Sequence, residues 1–344
     1  MAKFTEMSAA AQTAFAGLAQ AARQAEMTRS IADAPGSFSK KTVSGRVYWY
    51  YQSKAPDGKQ QQFYVGPDDD ATRELIERHR DPRAKAARAH LAQLCQAAIA
   101  LGCYGVIPKH ARVLTRLADH GLFRAGGVLV GTHAFLAYQN HFGVRWVGGD
   151  VTVDLDFAHP GRNISLALPS SIQADMPDAI ESLKMGFLPV NEGTRYVKQD
   201  EPDFDLDFLT TRHRGGDAPV QVPQLKVTLQ PLRFMEFSLE ATMPLALPAS
   251  TGPVVANVPR PERYGLAKLL VHAERSRSNP PKAAKDLEQA ATLIDFLSRQ
   301  DPQGLQEAWV DLQGRGPKWR SQAAVGYRSL RARHPAIECA IELV

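Results

Sequence analysis

Two acidic stretches determine the predicted fold: VTVDLDFA at residues 151–158 and FDLDFLT at residues 204–210. Alternation of apolar and polar residues with a period of two is typical of β-strands, whose side chains point to opposite faces. The first stretch places Asp154 and Asp156 on one face, about 6.6 Å apart along the backbone at roughly 3.3 Å per residue. Thr152 shares that face, and the apolar residues share the other. The pattern predicts a strand that packs on a core and presents two carboxylates.

Two carboxylates on one strand face repel each other unless a cation lies between them. Mg²⁺ takes oxygen ligands and is commonly held by one or two carboxylates together with substrate phosphates. The second stretch repeats the pattern with Asp205 and Asp207. If the strands are neighbours, the cluster could hold two metal ions about 3.5–4 Å apart, as in phosphoryl and nucleotidyl transfer. For one stretch taken alone, a solvated strand face is the favoured alternative.

A glycine turn before these strands is a candidate phosphate site. GVLVG at residues 127–131 predicts a short apolar strand, and the following residues predict a helix with Thr132 as its N-cap. Gly131 would let backbone N–H groups approach an anion, and the helix N-terminus favours negative charge. A tight turn with a threonine cap would give the same pattern.

The remaining sequence predicts helices around these strands. An Ala-rich helix is expected at residues 8–26, a linker at 27–40, and a β-hairpin at Thr42–Gly66 with its turn at Asp57-Gly58. Further helices are expected at 70–102 with a break at Pro82, at 112–120, at 175–186, and at four places between Pro261 and about residue 333.

We therefore predict an α+β or α/β protein in three parts. Residues 1–104 form an N-terminal helical and β-hairpin extension, residues 105–258 a small mixed-sheet core, and residues 259–344 a C-terminal helical domain. The net charge is +5, but residues 111–258 hold 12 basic and 16 acidic residues. An acidic centre between basic flanks fits a cation site whose surroundings attract polyanions. Ordinary solvated surface is an equal alternative on charge alone.

The composition argues against several classes of protein. Hydrophobic residues make up 44% of the chain, which is too many for a wholly disordered protein. The three cysteines form no Cys-x-x-Cys pair, so neither a disulfide framework nor a cysteine zinc site is expected. No apolar run approaches 18 residues and the N-terminus lacks a signal-peptide core, so we expect a cytoplasmic protein without a membrane segment. The sequence has no Gly-x-x-x-x-Gly-Lys-Ser/Thr phosphate-binding loop and no Gly-x-Gly-x-x-Gly dinucleotide-binding motif. It also has no Gly-x-Ser-x-Gly nucleophile turn and no His-Glu-x-x-His pair.

The order of these motifs resembles the DNA polymerase β-type nucleotidyltransferase superfamily. The sequences of several segments are similar to those of a bacterial nucleotidyltransferase-fold family, which is related to the AbiEii and MenT-type toxins. This resemblance covers about residues 42–300. The segments that carry this resemblance are GLFRAGGVLVGTHAF (121–135), TVDLDFA (152–158), ESLKMGFLPV (181–190), FDLDFLT (204–210) and VPRPERYGLAKLLVHAER (258–275).

The resemblance implies transfer of a nucleoside monophosphate from a nucleoside triphosphate to an acceptor hydroxyl, with Mg²⁺ or Mn²⁺. Asp154 and Asp156 correspond to the metal-binding pair. Asp207 best matches the third carboxylate, and Asp205 matches it less well. The acceptor is expected to be RNA, such as the end of a tRNA, although a protein hydroxyl fits the same chemistry.

The resemblance also implies a triphosphate site. Gly131 and Thr132 match the turn that holds the triphosphate, and Lys268 matches a helix lysine that contacts phosphate and counts among the catalytic residues. Asp286 matches a Lys/Arg-Asp element of the toxin-like relatives, and Arg275 or Lys285 could add a phosphate contact. A surface charge pair is the alternative for Lys268 and Asp286.

Two departures from the family pattern keep other functions open. The gap from Thr132 to Asp154 is long, which predicts an insertion over the site at about residues 141–150. Ala267 stands where a histidine is expected. Both departures favour an alternative: a catalytically inert nucleotide- or RNA-binding protein on the same fold. A toxin of a toxin–antitoxin system is a third candidate from the resemblance alone.

Aromatic residues mark two further candidate surfaces. Residues 48–51 read Tyr-Trp-Tyr-Tyr and alternate between the faces of the predicted hairpin, with basic residues nearby. Such aromatics can stack nucleobases, but the favoured interpretation is that they hold the hairpin against a helix. Arg145 and Trp146 form a similar candidate within the predicted insertion.

Overall fold

A computed structural model describes the protein over residues 3–28, 37–54, 60–148, 154–160, 175–201, 203–212, 216–223, 225–276 and 278–342. These residues form fourteen strands and eleven α-helices. The strands are β1 (Phe4–Glu6), β2 (Ser37–Val43), β3 (Arg46–Lys54), β4 (Gln60–Pro67), β5 (Val128–Leu129), β6 (Val144–Trp146), β7 (Leu155–His159), β8 (Phe187–Val190), β9 (Arg195–Lys198), β10 (Asp205–Thr211), β11 (Val220–Val222), β12 (Val227–Leu232), β13 (Thr242–Leu247) and β14 (Val254–Pro259).

The helices alternate with these strands in the first part of the chain and follow them at the end. They are α1 (Ala9–Thr28), α2 (Asp70–Arg80), α3 (Pro82–Ala100), α4 (Pro108–Asp119), α5 (Gly131–Phe142), α6 (Met176–Ser182), α7 (Met235–Leu239), α8 (Pro261–Arg275), α9 (Pro280–Gln300), α10 (Pro302–Gly314) and α11 (Pro317–Arg333). The predicted mixed α+β class is confirmed.

A mixed seven-stranded sheet contains both acidic stretches. Its path is β11–β12–β10–β7–β5, and β9 also pairs with β10 and carries β8. β7 and β10 run parallel, so that Asp156 lies opposite Asp207. The two acidic strands are therefore neighbours, which was the condition for a shared carboxylate cluster. Residues 151–153, including Thr152, lie outside the described residues, and Asp154 directly precedes β7 rather than lying within it.

The apolar faces of the two strands hold this register. Leu155 and Phe157 of β7, and Leu206 and Phe208 of β10, are buried as the alternation predicts. The rings of Phe157 and Phe208 stack with their centroids 5.5 Å apart. A slip of one residue in either strand would turn these rings to the opposite face. Burial of the rings therefore fixes the positions of the carboxylates on the other face.

The C-terminal helices share the core of the sheet. The four helices predicted after Pro261 are confirmed as α8–α11, and each begins with a proline, whose missing N–H costs nothing at that position. One hydrophobic cluster runs from the sheet into these helices and includes Leu229, Leu266 and Leu293. The division at residues 104 and 258 stays a prediction.

The N-terminal region differs from its prediction in one element. Helix α1 packs on α3 in a small separate core that encloses Cys95 and Cys103, and the predicted break at Pro82 separates α2 from α3. Residues 37–40, predicted as linker, instead belong to β2, so the expected hairpin is a three-stranded antiparallel sheet, β2–β3–β4. The predicted turn at Asp57-Gly58 lies outside the described residues.

The segment predicted as an insertion over the site, at residues 141–150, is described as far as residue 148. There it forms the end of α5 and strand β6. Helix α5 ends at Phe142, because its C-cap Gly143 has a φ of 68°. Strand β6 then pairs antiparallel with β1. Trp146 is buried, stacks on Phe135 at 5.5 Å, and donates its indole N–H to the Phe135 carbonyl. Arg145 donates to the carbonyl of Gly102. The candidate role of Trp146 in stacking a nucleobase is therefore wrong, because its indole is enclosed, whereas Arg145 is exposed and its role stays a prediction.

Within the described ranges, none of the helices combines the length and the apolar character needed to cross a membrane.

The aromatic stack under the acidic strands gives a first prediction. Phe208→Ala should lower the free energy of unfolding by about 3–5 kcal/mol, the usual cost of a large cavity in a core. Urea denaturation followed by circular dichroism measures this loss. The control is Val310→Ala, whose side chain on α10 is exposed and should contribute less than about 0.5 kcal/mol. A Phe208→Ala loss below about 1 kcal/mol would contradict the role of the stack.

Candidate functional site

Three carboxylates meet at one edge of β7 and β10. Asp156 and Asp207 are partners across the parallel ladder, so their backbones are about 4.8 Å apart. Burial raises the pKa of Asp156 to about 7, and the charges of Asp154 and Asp207 add to this. Burial also raises the pKa of Asp207 to about 6, with the charges of Asp205 and Asp154 adding to it. The predicted metal-binding residues Asp154, Asp156 and Asp207 therefore lie together, and the charge of Asp154 disfavours the ionisation of the other two.

Gly131 lies directly against this carboxylate cluster. Its φ is 62°, in the left-handed region that favours glycine, and a Cβ at this position would overlap the carboxylate of Asp156. Only glycine lets the turn and the carboxylate approach this closely. The expected capping role of Thr132 is wrong: the N-cap of α5 is Val130, and Thr132 is buried within the first turn.

Two buried side chains from the C-terminal helices support this turn. The Tyr264 hydroxyl lies 2.8 Å from the carbonyl oxygen of Gly131 and 3.0 Å from Oε1 of Gln289. Nε2 of Gln289 donates over 3.5 Å to Oγ1 of Thr132. Sequence reasoning missed both residues. Their signal is helical spacing, since Tyr264 lies one turn before Lys268 and Gln289 lies three residues after Asp286.

The predicted phosphate residues of α8 and α9 form a charged group. Lys268 Nζ lies 2.6 Å from Oδ1 of Asp286, and an Arg275 guanidinium nitrogen lies 3.1 Å from its Oδ2. The Asp286 side chain is only 4% exposed, so the alternative of a surface charge pair does not describe it. The charge of Lys268 acts to lower the pKa of Asp156, against the larger effect of burial. The charge of Lys285 contributes to lowering the pKa of His133 in the first turn of α5.

Two cations that the sequence analysis missed also face the carboxylates. Lys282, in the first turn of α9, acts to lower the pKa of both Asp156 and Asp207. Arg195 of β9 is the strand partner of Asp207, and its Nε lies 3.7 Å from Oδ1 of that residue. The same guanidinium forms an ion pair with Asp205. Because β9 was not predicted, nothing in the sequence placed Arg195 beside the acidic strand.

A buried polar chain lies behind the glycine turn. The Tyr104 hydroxyl is 3.1 Å from Nδ1 of His133, and Nε2 of His133 is 2.9 Å from Nδ1 of His110. Burial, together with the neighbouring His110, lowers the pKa of His133 to about 3. His133 is therefore neutral at pH 7, and its ring anchors the first turn of α5 rather than adding charge to the site.

The carboxylates suit a hard divalent cation whose other ligands come from substrate and water. In the part of the chain that the structure describes, no three His, Cys, Asp or Glu side chains are arranged as a ready metal-binding group. Mg²⁺ does not need such a group, since one or two carboxylates plus phosphate oxygens commonly hold it. Asp156 and Asp207 supply two carboxylates whose pKa values are raised by burial first and by neighbouring negative charges second. Asp205, already paired with Arg195, is less free to serve as a ligand.

The sequence from residue 108 to residue 313 matches the model of a nucleotidyltransferase family. This is more than half of the chain and includes every predicted site residue. The protein belongs to this nucleotidyltransferase family. Membership supports a transferase and implies a nucleotide substrate.

Other comparisons add little to this assignment. A solved structure similar to the chain is that of an antigenic nucleotidyltransferase-like protein from Paracoccidioides brasiliensis, at 15% identity. The alignment covers 69% of this chain and 92% of that chain, with a TM-score of 0.26. This likeness is weak, so the family assignment rests on the family model. No curated protein sequence matches the chain.

The raised carboxylate pKa values predict an unusual pH dependence of stability. The folded pKa of Asp156, about 7, lies above its unfolded value, so the native state binds the proton more tightly and loses stability as pH rises from about 4 through 7. Asp156→Asn removes this loss. Between pH 5 and pH 8 without divalent metal, the native protein should lose about 1–3 kcal/mol more stability than the variant, at about 1.4 kcal/mol per pKa unit.

Urea denaturation at the two pH values, in EDTA, measures this difference. The matched control is Asp203→Asn, which removes the same charge from an exposed position just before β10. Its stability should follow the pH dependence of the native protein. Parallel curves for the native protein and Asp156→Asn would contradict the burial of this carboxylate.

The glycine turn gives a separate prediction. Gly131→Ala should lower nucleoside triphosphate affinity at least about tenfold, because the added Cβ pushes the Asp156 carboxylate away and strains the turn by about 1–3 kcal/mol. Titration calorimetry with Mg²⁺ present measures the affinity. Gly148→Ala is the matched control, since Gly148 has a φ of 85° but open space around its α-carbon. Equal affinities of the two variants would show that the overlap with Asp156 does not matter.

Proposed function

We propose that this protein transfers a nucleoside monophosphate from a nucleoside triphosphate to an acceptor hydroxyl of RNA, with Mg²⁺ or Mn²⁺ bound. The observation that carries the proposal is the pairing of Asp156 with Asp207 across parallel strands, beside a glycine turn that only glycine allows. Family membership supports the general reaction. The metal, the acceptor and the individual residue roles belong to the proposal.

The cluster of charged groups assigns the roles. Asp156 and Asp207, with Asp154 beside them, would hold the divalent cation. Such an ion, when bound, neutralises triphosphate charge and lowers the pKa of the attacking hydroxyl. Backbone N–H groups at Gly131 and Thr132 face the position of the phosphates at the start of α5.

Cations on the C-terminal helices complete the proposed triphosphate site. Lys268 would contact a phosphate oxygen while Asp286 fixes the position of its ammonium group. Arg275 is held by the other oxygen of Asp286. Lys282 and Lys285 add positive charge in the first two turns of α9. These groups are attached to a packed core, so they need little rearrangement when the triphosphate binds.

The reaction forms one bond and breaks one. The acceptor oxygen attacks the α-phosphorus, the bond from that phosphorus to the bridging oxygen breaks, and pyrophosphate leaves with the electron pair. The hydroxyl proton is released to water. Positioning and neutralisation of phosphate charge, rather than a covalent enzyme intermediate, supply the acceleration in such reactions.

One observation favours a second candidate, a nucleotide- or RNA-binding protein without activity. Ala267, where the resemblance predicts a histidine, is buried in the core beside Lys268 and offers no proton-transferring group. The two candidates differ in what the carboxylates do. An inert protein would bind nucleotide or RNA equally well without Asp156, whereas the enzyme depends on it.

A label-transfer assay tests the proposal. The protein is incubated with each nucleoside triphosphate labelled on the α-phosphate, with Mg²⁺ or Mn²⁺ and total RNA, and the label is followed in RNA, in protein and in free nucleotide. We expect label in RNA with the native protein and with Asp203→Asn, and at least about 100-fold less with Asp156→Asn, as for loss of a main electrostatic group.

The other outcomes point to different conclusions. Label in protein instead of RNA would identify the acceptor as a protein hydroxyl rather than an RNA hydroxyl. No label under any condition, with nucleotide binding unchanged in Asp156→Asn, would favour the inert binding protein. Growth arrest on induction that depends on Asp156 would support the toxin suggested by the resemblance.

A further inference from the structure

The sheet β2–β3–β4 has two faces of different character. On the inner face, Tyr51 is only 7% exposed, and Phe38 packs edge-on against His79 of α2 at 5.0 Å. Trp49 shares this face and donates its indole N–H to Asp68 over 2.9 Å. For these residues the favoured interpretation is confirmed: they hold the sheet against a helix.

The outer face carries three other aromatic rings. Tyr48 and Tyr50 alternate with the inward residues along β3, and Tyr50 is the strand partner of Tyr64 on β4. The Tyr64 ring lies 6.1 Å from the Tyr48 ring and 5.8 Å from the Tyr50 ring, and its side chain is 59% exposed. Lys41 of β2 lies 4.9 Å above the Tyr50 ring. We call these three tyrosines with Lys41 the tyrosine face.

The charge of this sheet has one sign. Strands β2, β3 and β4 contain four basic residues and no acidic residue. By the alternation along the strands, Lys41 and Arg46 lie on the same side as the tyrosines, and both are exposed. The remaining residues on that side are mainly serine and glutamine, such as Ser39 and Gln62. A surface that binds a folded protein would be expected to have an apolar centre with few charges.

These properties fit a single-stranded nucleic acid. Exposed aromatic rings on a sheet stack on unpaired bases, and basic side chains beside them neutralise the phosphates. Rings about 6 Å apart lie within the reach of successive bases on a strand. The amide group of the exposed Gln62 can donate to phosphate and base oxygens.

We propose that the tyrosine face binds single-stranded nucleic acid and that the strand it holds is the RNA acceptor. The identity of the strand rests on the proposed function, but the binding does not. The sheet lies before residue 108, so it is also outside the part of the chain that matches the nucleotidyltransferase family.

The test is a binding measurement on the full chain in EDTA without nucleotide. A fluorescently labelled, unstructured oligonucleotide of mixed sequence is titrated with protein, as RNA and as DNA of the same sequence, and anisotropy is recorded. Tyr64→Ser should weaken RNA binding about 5- to 100-fold, the range for loss of one stacked base. Tyr64→Phe keeps the ring and should stay within about twofold of the native protein. Thermal unfolding confirms that each variant is folded.

The charge is tested in parallel by salt dependence. Lys41→Gln should weaken binding and reduce the slope of log affinity against log salt by about 0.7, the value for one phosphate contact on a single strand. Lys85→Gln is the control, because it removes the same charge from an exposed position on α3. Its affinity and slope should match those of the native protein.

The outcomes separate this proposal from the proposed function. RNA binding that falls in Tyr64→Ser and persists in Asp156→Asn supports the tyrosine face, whether or not label is transferred. Equal affinity for DNA supports a general single-strand site, and preference for RNA supports the acceptor role. Unchanged RNA binding in Tyr64→Ser, or no RNA binding by the native protein, overturns the proposal even if label transfer succeeds.

Discussion

The repulsion between Asp156 and Asp207 is the constraint on which the rest of the structure depends. Parallel pairing places the two carboxylates side by side, where burial is the larger cause that raises their pKa values and neighbouring negative charge the smaller one. This arrangement survives because the opposite faces of the same strands are fixed by stacked phenylalanine rings. Hydrophobic burial on one face of the strands thus holds two mutually repelling carboxylates in place on the other face. The cation that we propose for this site would relieve this electrostatic conflict when it binds together with substrate phosphates.

The positive groups that relieve this conflict come from distant parts of the chain. Arg195 approaches from the neighbouring strand β9, while Lys268 and Lys282 belong to the C-terminal helices α8 and α9. Asp286 holds Lys268 and Arg275 together, so that their charges lie at defined positions. The carboxylate at Asp286 therefore belongs to the site although it has no place among the candidate metal ligands.

Local patterns in the sequence predicted much of this fold, and long-range pairings explain what they missed. Alternation identified the two acidic strands and their buried faces, and proline positions marked the starts of the C-terminal helices. Strands β8 and β9 have no clear alternation, so Arg195 could not be placed beside Asp207 before the fold was known. The capping role assigned to Thr132 failed because α5 begins at Gly131, which places Thr132 within the first turn and makes Val130 the N-cap. Tyr264 and Gln289 support the turn across more than 130 residues of sequence.

The long sequence separation between the glycine turn and its two supports affects how the protein can fold during synthesis. The ribosome releases the glycine turn and both acidic strands well before Tyr264 and Gln289 emerge, since these lie 133 and 157 residues after the residues they contact. A nascent chain that ends before α9 has the crowded carboxylates and Tyr264, but it lacks Gln289 and Lys282. The growing polypeptide therefore passes through a stage in which Arg195 and Lys268 face the carboxylates without Lys282. Completion of α9 is the step at which the turn, the carboxylates and the cations first coexist.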